Sequence, residues 1–121
     1  MHPIYFYKDK RGRSQVKEYF ADLAKKNDKD SRIKMNKILG YTKALQKYGT
    51  VIGEPYIKHI SGEIWELRPL RDRIFFVAWI DGSFVLLHQF LKKSQKTPTK
   101  EIEKAKKEFA DLKERSDSYE F

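Results

Sequence analysis

The hydrophobic period of this chain changes twice, and those two changes confine it to a mixed architecture. Val16, Tyr19, Phe20 and Leu23, then Ile38, Tyr41, Leu45 and Tyr48, recur at helical spacing. From Tyr56 the pattern becomes strand-like, with strand candidates at residues 56–60, 64–68, 73–80 and 84–91. Beyond Thr97 the helical spacing returns in Ile102, Ala105, Phe109 and Leu112. Side chains repeat every 3.6 residues on a helix and every two on a strand. The two patterns therefore belong to different elements. Residues 4–7 add a short apolar strand candidate at the start.

The punctuation agrees with this division. Ser14 and the segment 27–30 suit the starts of the first two helices, and Gly49 suits the end of the second. Ser61-Gly62 and Asp81-Gly82 are tight-turn dipeptides, and the second reads as a two-residue hairpin loop. Residues 69–72 form the turn between the middle strands, and Pro98 suits a first helical position. The expected fold class is α+β: an antiparallel twisted sheet packed against two N-terminal helices and one C-terminal helix. Residues 1–115 form one domain, and 116–121 a flexible tail.

Register then places the charged residues. A two-residue Asp81-Gly82 loop pairs Ile80 with Ser83, Phe75 with His88 and Arg73 with Phe90. The 69–72 turn pairs Arg68 with Arg73 and Glu66 with Phe75. Alternation puts Glu66, Arg68, Arg73, His88 and Lys92 on one face, near one end of the sheet. Phe75, Val77, Trp79 and Leu86 share that face. Trp65, Leu67, Ile74, Phe76, Ala78, Ile80, Val85, Leu87 and Leu91 fall on the other, which is expected to pack on helices. A one-residue slip reverses every such assignment.

The chemistry implied is anionic. The 121 residues include 26 Lys and Arg against 17 Asp and Glu, a formal net charge of +9. That balance favours RNA, DNA or an acidic protein over neutral partners. Lys92, Lys93 and Lys96, with Gln95 among them, follow directly on an apolar strand, where a rigid base presents cations to a phosphate. The same run also suits a solvated strand exit. The Lys8–Arg13 loop is a weaker basic candidate. Arg73 opens an apolar strand beside other cations, an arrangement that calls for an anion or a carboxylate. Glu66 and Arg68 also suit simple pairing with each other or with Arg71, and His88 also suits a satisfied core position.

With no cysteine and three histidines at no metal-ligand spacing, neither disulfides nor a metal is expected, and no cofactor. No apolar run suits a signal peptide or a membrane span, so a cytoplasmic location away from membranes is expected.

Three segments carry a resemblance: Ile64-Trp65-Glu66-Leu67-Arg68, Arg73-Ile74-Phe75-Phe76, and the run from Leu86 through His88 and Lys92-Lys93-Ser94-Gln95-Lys96 to Pro98. Together, and in their order among the helices, they resemble the HigB-type, phage-derived branch of the RelE/ParE toxin superfamily. The resemblance implies a RelE-like fold and the toxin of a type II toxin–antitoxin system. It implies a metal-independent, ribosome-dependent mRNA endoribonuclease that inhibits translation. The implied partners are mRNA, the ribosome and a cognate antitoxin, of helix-turn-helix HigA type, through which alone operator DNA is contacted. By position, Arg73 matches the arginine on the scissile phosphate. Glu66 and Arg68 match strand positions bearing catalytic groups, and Lys92 and Lys93 fall where further catalytic or RNA-binding side chains occur. Two departures stand out: Ser94 replaces a frequent threonine, and no tyrosine lies in residues 92–97.

RNA cleavage without a metal needs a base for the 2′-hydroxyl, cations for the phosphorane and a proton or charge for the leaving oxygen. The expected set is Glu66, Arg68, Arg73, His88 and Lys92 for chemistry, and Lys93, Gln95 and Lys96 for RNA binding. Glu66 or His88 is the candidate base, and the surrounding cations are expected to depress the pKa of Glu66. Two alternatives stay open: a non-enzymatic module for RNA or an acidic partner, and a ParE-like gyrase inhibitor, since one fold serves several targets.

Overall fold

A computed structural model describes residues 1–121. The elements are β1 (Ile4–Phe6), α1 (Gln15–Lys25), α2 (Lys29–Tyr48), β2 (Ile57–Ser61), β3 (Ile64–Leu67), β4 (Asp72–Ala78), β5 (Phe84–Leu91) and α3 (Thr99–Glu114). Side chains named by the sequence set the helix ends. Ser14 Oγ accepts the Lys17 amide at 3.2 Å, and Asp28 Oδ2 accepts the Ser31 amide at 3.0 Å. Gly49 stops α2 at φ 67°, a conformation that costs a glycine little. Pro98 stands just before α3 rather than in its first turn.

The strands form one five-stranded sheet in the order β1-β5-β4-β3-β2. β2 to β5 are antiparallel neighbours, as the turn signals require. β1 lies parallel to β5, so the sheet is mixed. Hairpin turns fix the direction of successive strands, whereas β1 reaches β5 only after two helices and three strands, and no turn dictates its direction.

Each face of the sheet is covered. Val16 and Leu23 of α1 and Ile38 and Leu45 of α2 pack with Leu67, Ile74, Phe76 and Leu86. Ala105, Phe109 and Leu112 of α3 pack with Ile64, Phe75, Val77, Val85 and Leu87 on the opposite side. Burial of these side chains drives the assembly, each worth about 1.5–3 kcal/mol.

The β4–β5 register explains both what the sequence pattern placed correctly and what it misplaced. Arg73 faces Phe90 and Phe75 faces His88, as expected. Beyond Phe75 the register shifts by one: Phe76 faces Leu86, and Leu87 is the extra residue of a β-bulge. The loop is also longer than two residues, running through Ile80, Asp81 and Gly82, and Trp79 N–H donates to the Ser83 carbonyl at 2.8 Å. The extra loop residue and the bulge offset one another. The site end of the hairpin keeps its expected register while the loop end does not. Val85 and Leu87 therefore face α3, and Leu86 faces α1 and α2, the reverse of the alternating assignment. Ala78 and Leu91 lie at strand ends and Ile80 in the loop, and all three are exposed rather than packed under helices.

Two polar clips fasten the ends of the chain to the sheet. His88, 1% exposed, is held beneath α3, with Nδ1 2.5 Å from Glu108 Oε1 and Nε2 3.2 Å from Glu101 Oε1. Glu101 and Glu108 lie two turns apart on the face of α3 turned to the sheet. At the other end of α3, Tyr7 Oη donates to Asp111 Oδ2 at 2.6 Å and Arg115 Nη2 donates to the same oxygen at 2.5 Å. Arg115 holds the Asp111 carboxyl below the usual aspartate range, with Tyr7 assisting against a smaller burial effect. Residues 116–121, expected as a free tail, lie against the first strand and its loop. Tyr119 Oη donates to the Lys8 carbonyl at 2.9 Å, and the Phe121 ring stacks on Tyr5 with centroids 4.5 Å apart.

Removing the imidazole of His88 leaves two carboxylates facing an apolar sheet. His88→Ala is expected to lose about 3 kcal/mol of unfolding free energy in urea titrations. An unchanged midpoint would show that α3 is held by its apolar face alone.

Candidate functional site

The β3–β4 hairpin brings the first candidates together. Glu66 pairs with Phe75 and Leu67 with Ile74, so Arg68 and Arg73 flank the turn on either side of Glu66. Glu66 Oε1 lies 3.3 Å from Arg68 Nε and 3.7 Å from Arg73 Nε. Across the β2–β3 ladder, Lys58 stands opposite Glu66. The Glu66 residue is only 2% exposed.

This grouping has a consequence opposite to the one expected from counting cations. Burial raises the Glu66 carboxyl above the usual glutamate range, and the charges of Arg73, Arg68, Lys92 and Lys58 only partly offset it. The expected depression is corrected because taking a carboxylate out of water costs more than these four cations return at their distances. No side-chain donor hydrogen-bonds the Glu66 carboxylate, and the buried Nε atoms of Arg68 and Arg73 beside it have no hydrogen-bond partner, nor does Asp72 Oδ2 across the turn. The carboxylate is attracted by charge yet keeps its acceptor positions.

Arg73 is 7% exposed, and one edge of its guanidinium is already used. Nη1 donates to the Leu70 carbonyl at 2.8 Å and to the Asp72 carbonyl at 2.9 Å. Arg73 thus braces the 69–72 turn, which is closed by the Asp72 amide donating to the Pro69 carbonyl at 3.0 Å. Arg68 Nη1 donates outward to Glu54 Oε1 at 3.0 Å. The expected pairing of Arg68 with Glu66 is present. Arg71 instead ties the turn to the exit of β5: its carbonyl accepts the Lys92 amide at 2.8 Å, and its Nη2 donates to the Lys92 carbonyl at 3.2 Å.

The exit of β5 supplies the remaining cations. Lys92 adds its charge to the field around Glu66. Lys93 is exposed and lines a cleft of about 330 Å³ with Lys34, Leu70, Arg71 and Leu91. Gln95 and Lys96 are exposed on the bend that follows. His88 is not brought to this group. The register that pairs it with Phe75 also aims it at α3, where both ring nitrogens are engaged by Glu101 and Glu108. Another surface concavity, of about 490 Å³, lies elsewhere, between Ile33, Gly40 and Tyr41 of α2 and Tyr56, and holds no acid–base pair.

Several contributors escaped the sequence reading. Lys58 meets Glu66 only because the β2–β3 register shifts between His59 and Ser61. Asp72 anchors the other face of the same turn. Its Oδ1 accepts from Tyr19 Oη at 2.6 Å and Gln89 Nε2 at 2.8 Å, and Lys34 Nζ lies 3.6 Å from Oδ2. Gln15 joins this network by accepting the Gln89 amide at 2.7 Å. An aspartate at the edge of a turn reads as turn chemistry, and nothing local in the sequence marks it as buried. No group of three His, Cys, Asp or Glu side chains is arranged to hold a metal ion.

A family model described as phage derived protein Gp49-like (DUF891) matches residues 19–110. The chain belongs to this family. It is a family of RelE/HigB-like toxins. The match runs from α1 into α3, and so contains Glu66, Arg68, Arg73, Lys92 and Lys93 and both faces of the sheet. Among curated proteins, none matches the chain.

The raised Glu66 pKa fixes a sign. A carboxyl whose folded pKa lies above its unfolded value adds stability below the unfolded pKa, and that contribution is lost as pH rises through the folded pKa. Wild type should therefore gain stability relative to Glu66→Gln as pH falls from 7 towards 4, in paired urea titrations. A difference that stays flat with pH would mean that Glu66 is not held away from water.

Proposed function

We propose that this protein is the toxin of a type II toxin–antitoxin system, of HigB type, acting as a ribosome-dependent mRNA endoribonuclease. The observation that carries the reading is Glu66: a buried carboxyl of raised pKa, free of hydrogen bonds, set between two guanidiniums. A base with a pKa moved towards neutrality accepts a proton better than an ordinary glutamate, and adjacent cations stabilise the charge its action creates. Membership of a RelE/HigB-like toxin family supports the same reaction class.

In this scheme Glu66 takes the proton of the 2′-hydroxyl. The 2′-oxygen attacks the adjacent phosphorus, and the bond to the 5′-oxygen breaks, leaving a 2′,3′-cyclic phosphate. Arg68 and the free edge of Arg73 neutralise the phosphorane oxygens. The Lys92 ammonium gives its proton to the departing 5′-oxygen. Lys93, Lys96 and Gln95, all exposed on the rim, hold the flanking RNA backbone. His88 acts from beneath, by fixing α3. The partners are mRNA in the ribosome and a cognate antitoxin of helix-turn-helix type, which alone contacts operator DNA.

The test is inducible expression in bacteria with mapping of mRNA 5′ ends. Wild type should arrest growth and generate new mRNA ends. Glu66→Gln keeps the side-chain volume and should lower cleavage on programmed ribosomes by about 10²–10⁴-fold. Arg73→Lys is the better second variant, because Arg73→Ala also removes the brace of the 69–72 turn. Wild-type cleavage should rise with pH along a limb above the ordinary glutamate range, since the ionised form of Glu66 is the active one. Full cleavage by folded Glu66→Gln removes Glu66 from the mechanism. Growth arrest without new mRNA ends would point to gyrase.

A second outcome concerns binding. Lys93→Ala should weaken RNA or ribosome binding uniformly across sequences and reduce the salt dependence by about one charge. An unchanged salt slope places Lys93 outside the phosphate contacts.

A further inference from the structure

The turn that Arg73 braces has an unusual tip. Leu70 sits at φ 57°, in the left-handed region that branched side chains avoid at a cost of about 1–2 kcal/mol. Nothing inside the protein compensates by burying it: Leu70 is 47% exposed. Leu91, at the exit of β5, is 45% exposed, and both line the 330 Å³ cleft. The other lining side chains are Lys34, Arg71 and Lys93, all cationic. The turn is held in place from both sides. The Leu70 carbonyl is bound by Arg73, and Arg71 is bound to the Lys92 backbone.

Each feature has an obvious cheaper alternative. Glycine at position 70 avoids the strain, and a polar residue at 70 or 91 avoids exposing apolar surface. Strain that persists where the surroundings enforce it gathers at binding sites. Two apolar walls bordered by three cations match one chemical class, a flat apolar ring carried on a phosphate backbone. A protein partner's apolar side chain would fit the walls but not the two rim charges, Arg71 and Lys93, that have no carboxylate partner, whereas Lys34 already lies 3.6 Å from Asp72 Oδ2. A free phosphate would fit the charges but not the walls.

We propose that the cleft between Leu70 and Leu91 is a nucleobase subsite of a single-stranded RNA, with Arg71, Lys93 and Lys34 on the phosphates of that nucleotide. The inference rests on the ribonuclease reading above for its substrate, and adds to it the place where a base is held. The base lies against the two leucines in a cleft whose wall is fixed to Arg73. The cleft lies on the Asp72 side of the sheet end and Glu66 on the other, so a strand seated here passes around the 69–72 turn to reach Glu66. The subsite tolerates any base through its apolar walls, and the cations at its rim meet the phosphates.

The experiment measures binding of the full chain to fluorescent single-stranded RNA oligonucleotides, with and without an abasic nucleotide at each position in turn. Wild type should bind base-containing RNA about tenfold more tightly than RNA abasic at one position. Leu70→Gly should lose that tenfold difference while unfolding at an equal or higher temperature, because glycine relieves the left-handed strain. Leu91→Ser, at an exposed strand end, should lose it too without a change in fold. Equal binding of abasic and intact RNA by wild type would overturn the subsite. So would a Leu70→Gly protein that keeps the difference, or one that cleaves normally but escapes its antitoxin, since Leu70 would then belong to a protein interface. Cleavage on programmed ribosomes is scored separately. Base discrimination without cleavage overturns the ribonuclease reading and keeps the subsite, whereas cleavage without base discrimination overturns the subsite alone.

Discussion

The pairing of β4 with β5 is the interaction on which the molecule depends. These two strands occupy the middle of the sheet, supply side chains to both apolar layers, and deliver the candidate residues at one end. Their ladder is interrupted once, where Leu87 has no partner of its own. That bulge turns Val85 and Leu87 towards α3 while Leu86 faces α1 and α2. Without it, the loop-proximal half of β5 would present each of these side chains to the wrong helix layer. The extra residue in the 80–82 loop and the bulge form a matched pair, and removing either alone would slip Arg73 past Phe90.

Polar groups buried at the end of this ladder give the sheet two different surfaces. On one, Asp72 gathers Tyr19, Gln89 and Lys34, and closes α1 and α2 over the strand ends. On the other, Glu66 has charged neighbours and no hydrogen bond, and burial holds its carboxyl above the usual range. In the first arrangement Oδ1 of Asp72 is satisfied, whereas Oδ2 has the Lys34 charge at 3.6 Å and no hydrogen bond. The second is left incomplete, with the Nε atoms of Arg68 and Arg73 unpartnered. Both sides therefore hold a carboxylate that is not fully hydrogen-bonded, and what distinguishes the Glu66 side is the pair of guanidinium Nε atoms left without a partner beside it.

Much of the fold was legible. The helices, their caps at Ser14 and within residues 27–30 and the stop at Gly49 follow from local rules that need no knowledge of distant residues. So does the turn at residues 69–72, and with it the meeting of Glu66, Arg68 and Arg73. What failed to read through depended on long-range packing. The parallel direction of β1 is decided by the whole chain between it and β5. Lys58 reaches Glu66 through an irregularity in the β2–β3 ladder that no turn dipeptide announces. His88 looked like a candidate base because its strand position was right, but only the docking of α3 shows that Glu101 and Glu108 occupy both its nitrogens.

The sequence by itself determined the element order, the mixed class, the basic character and the identity of the residues clustered at the 69–72 turn. Periodicity, capping and turn chemistry are local, and they are written in neighbouring residues. The tertiary structure alone decided the protonation tendency of Glu66, the fate of His88, and the exposure of Leu70 and Leu91 around one cleft. Those properties depend on which atoms displace water from a given group. The order of residues along the chain does not specify that until the sheet and its helices are packed.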